Sequence, residues 1–96
     1  MSERVEVRNP NTGRSDGTIA ADKYEAMKAA LLRVIPDDEA GVPFRGLADR
    51  VRPHLPAEVF AGASVGWYTT TVKLDLEARG LIERVPKRRP QHLRRR

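Results

Sequence analysis

Residues 74–84 read LDLEARGLIER, and this stretch decides the fold that the sequence predicts. Its first half completes a helix that we predict over residues 65–79, with Ser64 as the N-cap. Gly80 can adopt the positive φ that commonly follows the end of a helix. The β-prone run at 81–85 then predicts a short strand that lies beside the helix.

The helix at 65–79 has two apolar stripes on nearly opposite faces. The first stripe contains Val65, Tyr68, Val72 and Leu76, and the second contains Trp67, Leu74 and Ala78. We expect the first stripe to pack in the core and the strand after Gly80 to cover the second. Because aromatic residues at helical spacing are usually buried, Trp67 and Tyr68 are both predicted to lie in the core.

Two further helices are predicted earlier in the chain. Tyr24, Met27, Leu31 and Val34 recur at three- and four-residue spacing, which predicts a helix that ends before Pro36. A short second helix is predicted from Pro43, in its first turn, to Pro53. Residues 1–18 are rich in turn-forming residues, so we expect a lead-in there with no more than a short strand at each side. Residues 53–63 are expected to form an irregular connector.

The order of these elements over residues 20–86, together with LDLEARGLIER, resembles the winged helix-turn-helix superfamily. The resemblance implies a mainly α fold with a small β wing, a winged helix-turn-helix-like three-helix domain. We therefore divide the chain into an N-terminal lead-in (1–18), a winged-helix-like domain (19–86) and a basic C-terminal tail (87–96). The whole chain, including NPNTGR, KYEAMKAAL and GWYTTTVKLDLEARGLI, is also similar to a family of small uncharacterised bacterial proteins, a likeness that implies no activity.

The positive charge of the chain is concentrated at its C-terminal end. Residues 1–78 hold ten Lys and Arg against twelve Asp and Glu, whereas residues 79–96 hold eight Lys and Arg against Glu83 alone. A basic terminal run is typical of segments that contact phosphate backbones or other acidic surfaces. Arginine outnumbers lysine throughout the chain, so a GC-rich genome explains the same composition without any ligand.

The superfamily resemblance implies binding to duplex DNA, with the third helix in the major groove and the wing on phosphates. The DNA-contacting residues that it implies are Thr70 and Lys73 on the helix and Arg84, Lys87, Arg88 and Arg89 in the wing and tail. The charges of the helix argue against strong base readout, because Lys73 and Arg79 are balanced by Asp75 and Glu77. We therefore predict a DNA-binding and regulatory protein whose affinity is mainly electrostatic.

The alternative is a winged helix that contacts protein and does not bind DNA. If the wing leaves the second apolar stripe partly uncovered, Trp67 and Leu74 become the anchors of a homodimer or a hetero-complex.

Enzymatic activity is not expected. The sequence has no cysteine, no glycine-rich phosphate loop and no nucleophile–base pattern, and neither His54 nor His92 has a second ligand at metal spacing. We expect no cofactor, no metal and no small-molecule substrate. No apolar run is long enough for a membrane span or a signal peptide, so the expected location is the cytoplasm without membrane contact.

Overall fold

A computed structural model describes residues 3–96 of the chain. Its elements follow in the order β1 (Arg4–Arg8), β2 (Ser15–Ala20), α1 (Ala21–Val34), β3 (Val42–Pro43), α2 (Leu47–Val51), a 3-10 turn (Arg52–His54), α3 (Val65–Ala78), β4 (Ile82–Arg84) and β5 (His92–Arg95). The strands β1 and β2 form one antiparallel sheet, and the other three form a second antiparallel sheet in the order β3-β5-β4.

The prediction of a mainly α, winged helix-turn-helix-like three-helix domain is wrong. Residues 3–96 form an α+β fold with three α-helices and five strands in two antiparallel sheets. Strands β3 and β5 were not predicted, because they are short and lie in segments rich in Gly, Pro and Arg. Such segments have little intrinsic strand preference, so pairing with a partner strand, which depends on context, forms them.

The N-terminal segment is a hairpin that belongs to the core. Arg4 pairs with Ala20 and Val5 with Ile19 across the two strands. Val7 and Ile19 point inward and are almost fully buried. The division between a lead-in and a domain at residue 18 stays a prediction, while the short strands expected at the two sides of the lead-in are observed as β1 and β2.

The sequence left open whether the basic tail at 87–96 is ordered, and in the structure His92–Arg95 is the central strand of the second sheet. Leu93 pairs with both Val42 and Arg84, and its side chain is fully buried. A strand that is buried on one face alternates apolar with polar residues. Because the residues around Leu93 are arginines, the composition of this segment did not indicate a strand.

The first and third helices are confirmed. The Ser64 Oγ accepts a hydrogen bond from the Trp67 N–H at 3.1 Å, as an N-cap does. Gly80 has φ of +77°, and the Leu81 N–H donates to the Leu76 carbonyl at 2.9 Å, which satisfies the last turn of α3. The strand predicted after Gly80 is observed as β4.

The second helix begins later than predicted. Pro43 lies in β3, opposite His92, and the Phe44 N–H donates to the Gln91 carbonyl at 2.8 Å. Helix α2 starts only at Leu47, after Gly46 reverses the chain with φ of +83°. Pro43 is compatible with either place, because its fixed φ suits both the first turn of a helix and a short edge strand.

One core unites all of these elements. Its fully buried side chains come from both long helices, from α2 and from the sheet that contains β5, and they include Met27, Leu31, Leu47, Val72, Leu76, Ile82 and Leu93. The connector before α3 contributes the buried Phe60 to the same core.

Replacement of Gly41 by alanine tests the close approach of β5 to the loop before β3. A Cβ at Gly41 would lie 2.5 Å from the Leu93 carbonyl oxygen, and its φ is +65°. We expect Gly41→Ala to lower the free energy of unfolding in urea by more than about 2 kcal/mol, because steric overlap adds to the cost of left-handed backbone.

Gly62 is a matched control, since its φ is +74° but a Cβ there meets nothing within 4 Å. Gly62→Ala should cost only about 1 kcal/mol, the backbone contribution alone. Equal losses for the two variants would contradict the proposed contact with β5.

Candidate functional site

The most basic surface of the described chain is the loop between β4 and β5, residues 85–91, here called the basic turn. Lys87, Arg88 and Arg89 are consecutive and exposed, and none of the three forms an ion pair with a carboxylate of residues 3–96. The Val85 N–H donates to the His92 carbonyl at 2.9 Å, which closes the base of the loop. The three charges therefore stand at the end of an ordered hairpin.

Lys73 and Arg84 lie close together because both contact the carboxylate of Glu77. The Lys73 Nζ lies 3.2 Å from Glu77 Oε2, and the Arg84 Nε donates to Glu77 Oε1 at 2.8 Å. The Lys73 side chain is only 3% exposed, and its ammonium lies 4.8 Å from the centre of the Phe44 ring. Burial lowers the pKa of Lys73, an effect that the Glu77 carboxylate partly offsets. This placement does not favour a phosphate contact for Lys73.

Thr70 is exposed and lies one turn before Lys73 on α3. Lys73 contacts Phe44, whose N–H is bonded to Gln91 in the basic turn. Arg45, next to Phe44, is exposed as well. The role of these residues in DNA contact stays a prediction.

The second apolar stripe of α3 is covered differently from the prediction. Strand β1, and not the strand after Gly80, packs against this side of the helix. The Arg79 guanidinium donates to the Glu6 carbonyl at 2.9 Å, and the Arg8 N–H donates to Asp75 Oδ1 at 2.9 Å. The N-terminal hairpin, rather than β4, therefore packs on the second apolar stripe of α3.

Asp75 is the centre of this contact, although the sequence placed it on a balanced charged surface. Its carboxylate is fully buried and accepts hydrogen bonds from the Tyr24 hydroxyl, the Arg8 N–H and the Arg79 guanidinium. Burial and the bond to Asp75 raise the pKa of Tyr24 well above its ordinary value. The spacing of Asp75 and Arg79, four residues apart in a helix, was a weak signal of the pair.

A cleft of about 360 Å³ lies between the N-terminal hairpin and α3, and we call it the α3 cleft. Its lining residues are Val7, Arg8, Asp16, Gly17, Thr18, Ile19, Trp67, Thr71 and Leu74. Trp67 stands at this cleft with 53% of its surface exposed. The prediction that Trp67 lies in the core is therefore wrong, because the hairpin does not cover the N-terminal part of the second stripe. Tyr68 is partly buried and packs against the core.

The two histidines considered as metal ligands do not form a metal site within residues 3–96. In residues 3–96, no group of three or more His, Cys, Asp or Glu side chains could hold a metal ion. The His92 Nδ1 lies 2.7 Å from the Pro90 carbonyl, and His54 is exposed in the 3-10 turn. No helix among the described residues is long and apolar enough to cross a membrane.

The fold and surfaces define a small α+β protein with one basic hairpin and one exposed aromatic cleft. Residues 4–93 match the model of a family of unknown function, DUF6958, and the chain belongs to that family. This confirms the resemblance of the whole chain to a family of uncharacterised proteins, while a bacterial origin stays a prediction. No curated protein and no solved structure matches the chain. None of the comparisons supports the resemblance to the winged helix-turn-helix superfamily.

Replacement of Asp75 by asparagine tests the buried contact between the hairpin and the two long helices. We expect Asp75→Asn to lower the free energy of unfolding by about 3 kcal/mol, because the Tyr24 hydroxyl and Arg79 lose a charged acceptor. Urea unfolding measures the loss. Asp49→Asn, at an exposed position of α2, is the control and should change stability by less than about 0.5 kcal/mol. A similar small effect at Asp75 would contradict the assigned role.

The raised pKa of Tyr24 predicts a specific pH dependence of stability. The unfolded phenol ionises near pH 10, before the folded one does, so the stabilisation that Tyr24 contributes is complete below about pH 10 and declines above it. Wild type should therefore lose stability relative to Tyr24→Phe as the pH rises above about 10. Urea unfolding of both proteins from pH 7 to 11 measures this difference, which a pH-independent offset would contradict.

Proposed function

We propose that this protein is a non-catalytic module that binds the phosphate backbone of duplex DNA through its basic turn. The observation that carries the proposal is the row of three exposed cations, Lys87, Arg88 and Arg89, without an ion-pair partner in residues 3–96. A polyanion is the ligand that such a row attracts most strongly, through release of condensed counterions.

The sheet supports this proposal by holding the turn in place. Strand β5 is hydrogen-bonded on both sides, and Leu93 anchors it in the core. The other arginines of this hairpin have partners, since Arg94 and Arg96 share the carboxylate of Glu83 at 2.6 and 3.2 Å and Arg95 donates to the Ile35 carbonyl. Lys87, Arg88 and Arg89 have no such partner among residues 3–96.

Helix α3 adds little base readout in this proposal. Its lysine is buried against Glu77 and Phe44, so among the predicted helix contacts only Thr70 presents an exposed polar side chain. Phosphate contacts fix position on a duplex but carry no sequence information. We accordingly propose binding with little sequence preference and strong salt dependence. A regulatory role would then need a further component to select the target.

The test is fluorescence anisotropy with a labelled duplex of about 20 base pairs at several salt concentrations. Wild type should bind at low salt and lose affinity steeply as salt rises. The triple variant Lys87→Gln, Arg88→Gln and Arg89→Gln should show a slope of log K against log salt that is less steep by about 2.7, since each phosphate contact contributes about 0.9.

The control removes the same charge elsewhere, with Arg14→Gln, Lys28→Gln and Arg33→Gln on the N-terminal hairpin and α1. This variant should keep the wild-type slope if the basic turn is the site. Equal losses for the two triple variants would mean that only net charge matters, and absence of binding by wild type at low salt would overturn the proposal.

A second candidate function, protein contact without DNA binding, is favoured by a different observation. Trp67 is a large aromatic side chain left 53% exposed beside the apolar Leu74, in a cleft that polar residues border. Tryptophan is among the residues that contribute most to binding energy at protein interfaces. This surface is formed by α3 and the N-terminal hairpin, so it does not include the basic turn.

A further inference from the structure

Trp67 is held in its exposed position by a chain of aromatic contacts. Its ring meets the Tyr68 ring edge to face, with centroids 4.9 Å apart and planes at 84°. The Tyr68 ring meets the buried Phe60 in the same way at 5.7 Å. A side chain fixed in this manner loses little conformational entropy when a partner covers it. Trp67 is therefore a preorganised anchor.

The α3 cleft beside this anchor has a lining of mixed apolar and polar surface, with two charged residues in it. Val7, Ile19 and Leu74 contribute apolar surface, while Arg8 and Asp16 contribute opposite charges. A volume of about 360 Å³ is at the small end of the range for ligand pockets, about 300–1,000 Å³. It suits an aromatic side chain better than a large cofactor.

We propose that the occupant of the α3 cleft is Trp67 of a second copy of this chain, in a two-fold symmetric dimer. This inference rests on the second candidate function and names its partner. Each Trp67 enters the cleft of the other copy, and each Arg8 faces the Asp16 of the other copy. The Arg8 contact with Glu6, 3.1 Å between half-exposed side chains, is weak enough to be exchanged for the new pair.

The surface is self-complementary, which favours a second copy over an unrelated partner. It carries a half-exposed aromatic ring at the border of a cavity of aromatic size, and it carries both signs of charge at the same border. A two-fold axis places each feature opposite its complement, as isologous interfaces require. An unrelated partner would have to supply its own aromatic ring, cavity and charges of both signs.

The first measurement uses the fact that Trp67 is the only tryptophan of the chain. Sedimentation equilibrium should give twice the 10.8 kDa mass at high concentration, and dilution should shift the tryptophan emission to longer wavelength as the dimer dissociates. A monomer mass with constant emission at all concentrations would overturn the proposal.

The second measurement compares Trp67 with Leu81, the other large apolar side chain that is exposed among residues 3–96. Trp67→Ala should weaken the dimer at least about thirtyfold, because an anchor of this kind is a hot spot of binding energy. Leu81→Ser removes the other exposed apolar residue, outside the α3 cleft, and should leave the mass unchanged. Circular dichroism checks that both variants fold. A dimer that survives Trp67→Ala would refute the proposed interface.

Charge reversal tests the symmetry of the contact. Arg8→Asp alone should weaken the dimer, and addition of Asp16→Arg should restore it at least tenfold, because the exchanged pair again faces across the two-fold axis. Failure of this rescue, in a double variant that is folded, would contradict the arrangement. These masses are measured without DNA. A monomer result would therefore overturn the proposed dimer without affecting the DNA-binding test that uses the basic-turn variant.

Discussion

The buried carboxylate of Asp75 is the interaction on which the arrangement of this protein depends. A charge that is removed from water must be paired and hydrogen-bonded, and Asp75 meets this requirement only when three elements come together. Tyr24 comes from α1, Arg79 from the end of α3, and the Arg8 N–H from the N-terminal hairpin. The requirement to satisfy one carboxylate thus fixes where the hairpin lies on the two long helices.

The position of the hairpin determines which surfaces of α3 remain accessible. One flank is covered by β1, and the opposite flank is occupied by the Lys73–Glu77–Arg84 cluster beside the second sheet. The strip left between them carries Trp67 and Thr70 and has no exposed charge of its own. The three consecutive cations of the basic turn lie outside this strip, so the two candidate functions belong to two separate surfaces.

Many residues of the candidate site could be predicted from the sequence, but the ion pairs that they form could not. The run of cations at 87–89 could be found by counting charges, and its exposure agrees with that reading. The burial of Lys73 could not be found, since Phe44 and Arg84, which enclose it together with Glu77, lie in other elements of the fold. For the same reason Asp75, counted as a surface charge, proved to be the most buried acid in the described chain.

The sequence by itself determined the two long helices, the Ser64 cap, the Gly80 stop and the burial of Leu76. These features depend on residues within about four positions of each other, the range of helical hydrogen bonds and caps. Only the tertiary structure decided that β5 is a central strand, that β1 covers α3 and that Trp67 remains exposed. Strand pairing and buried ion pairs join residues that are far apart in the chain. Local residue preferences do not determine which distant residue each of them will contact.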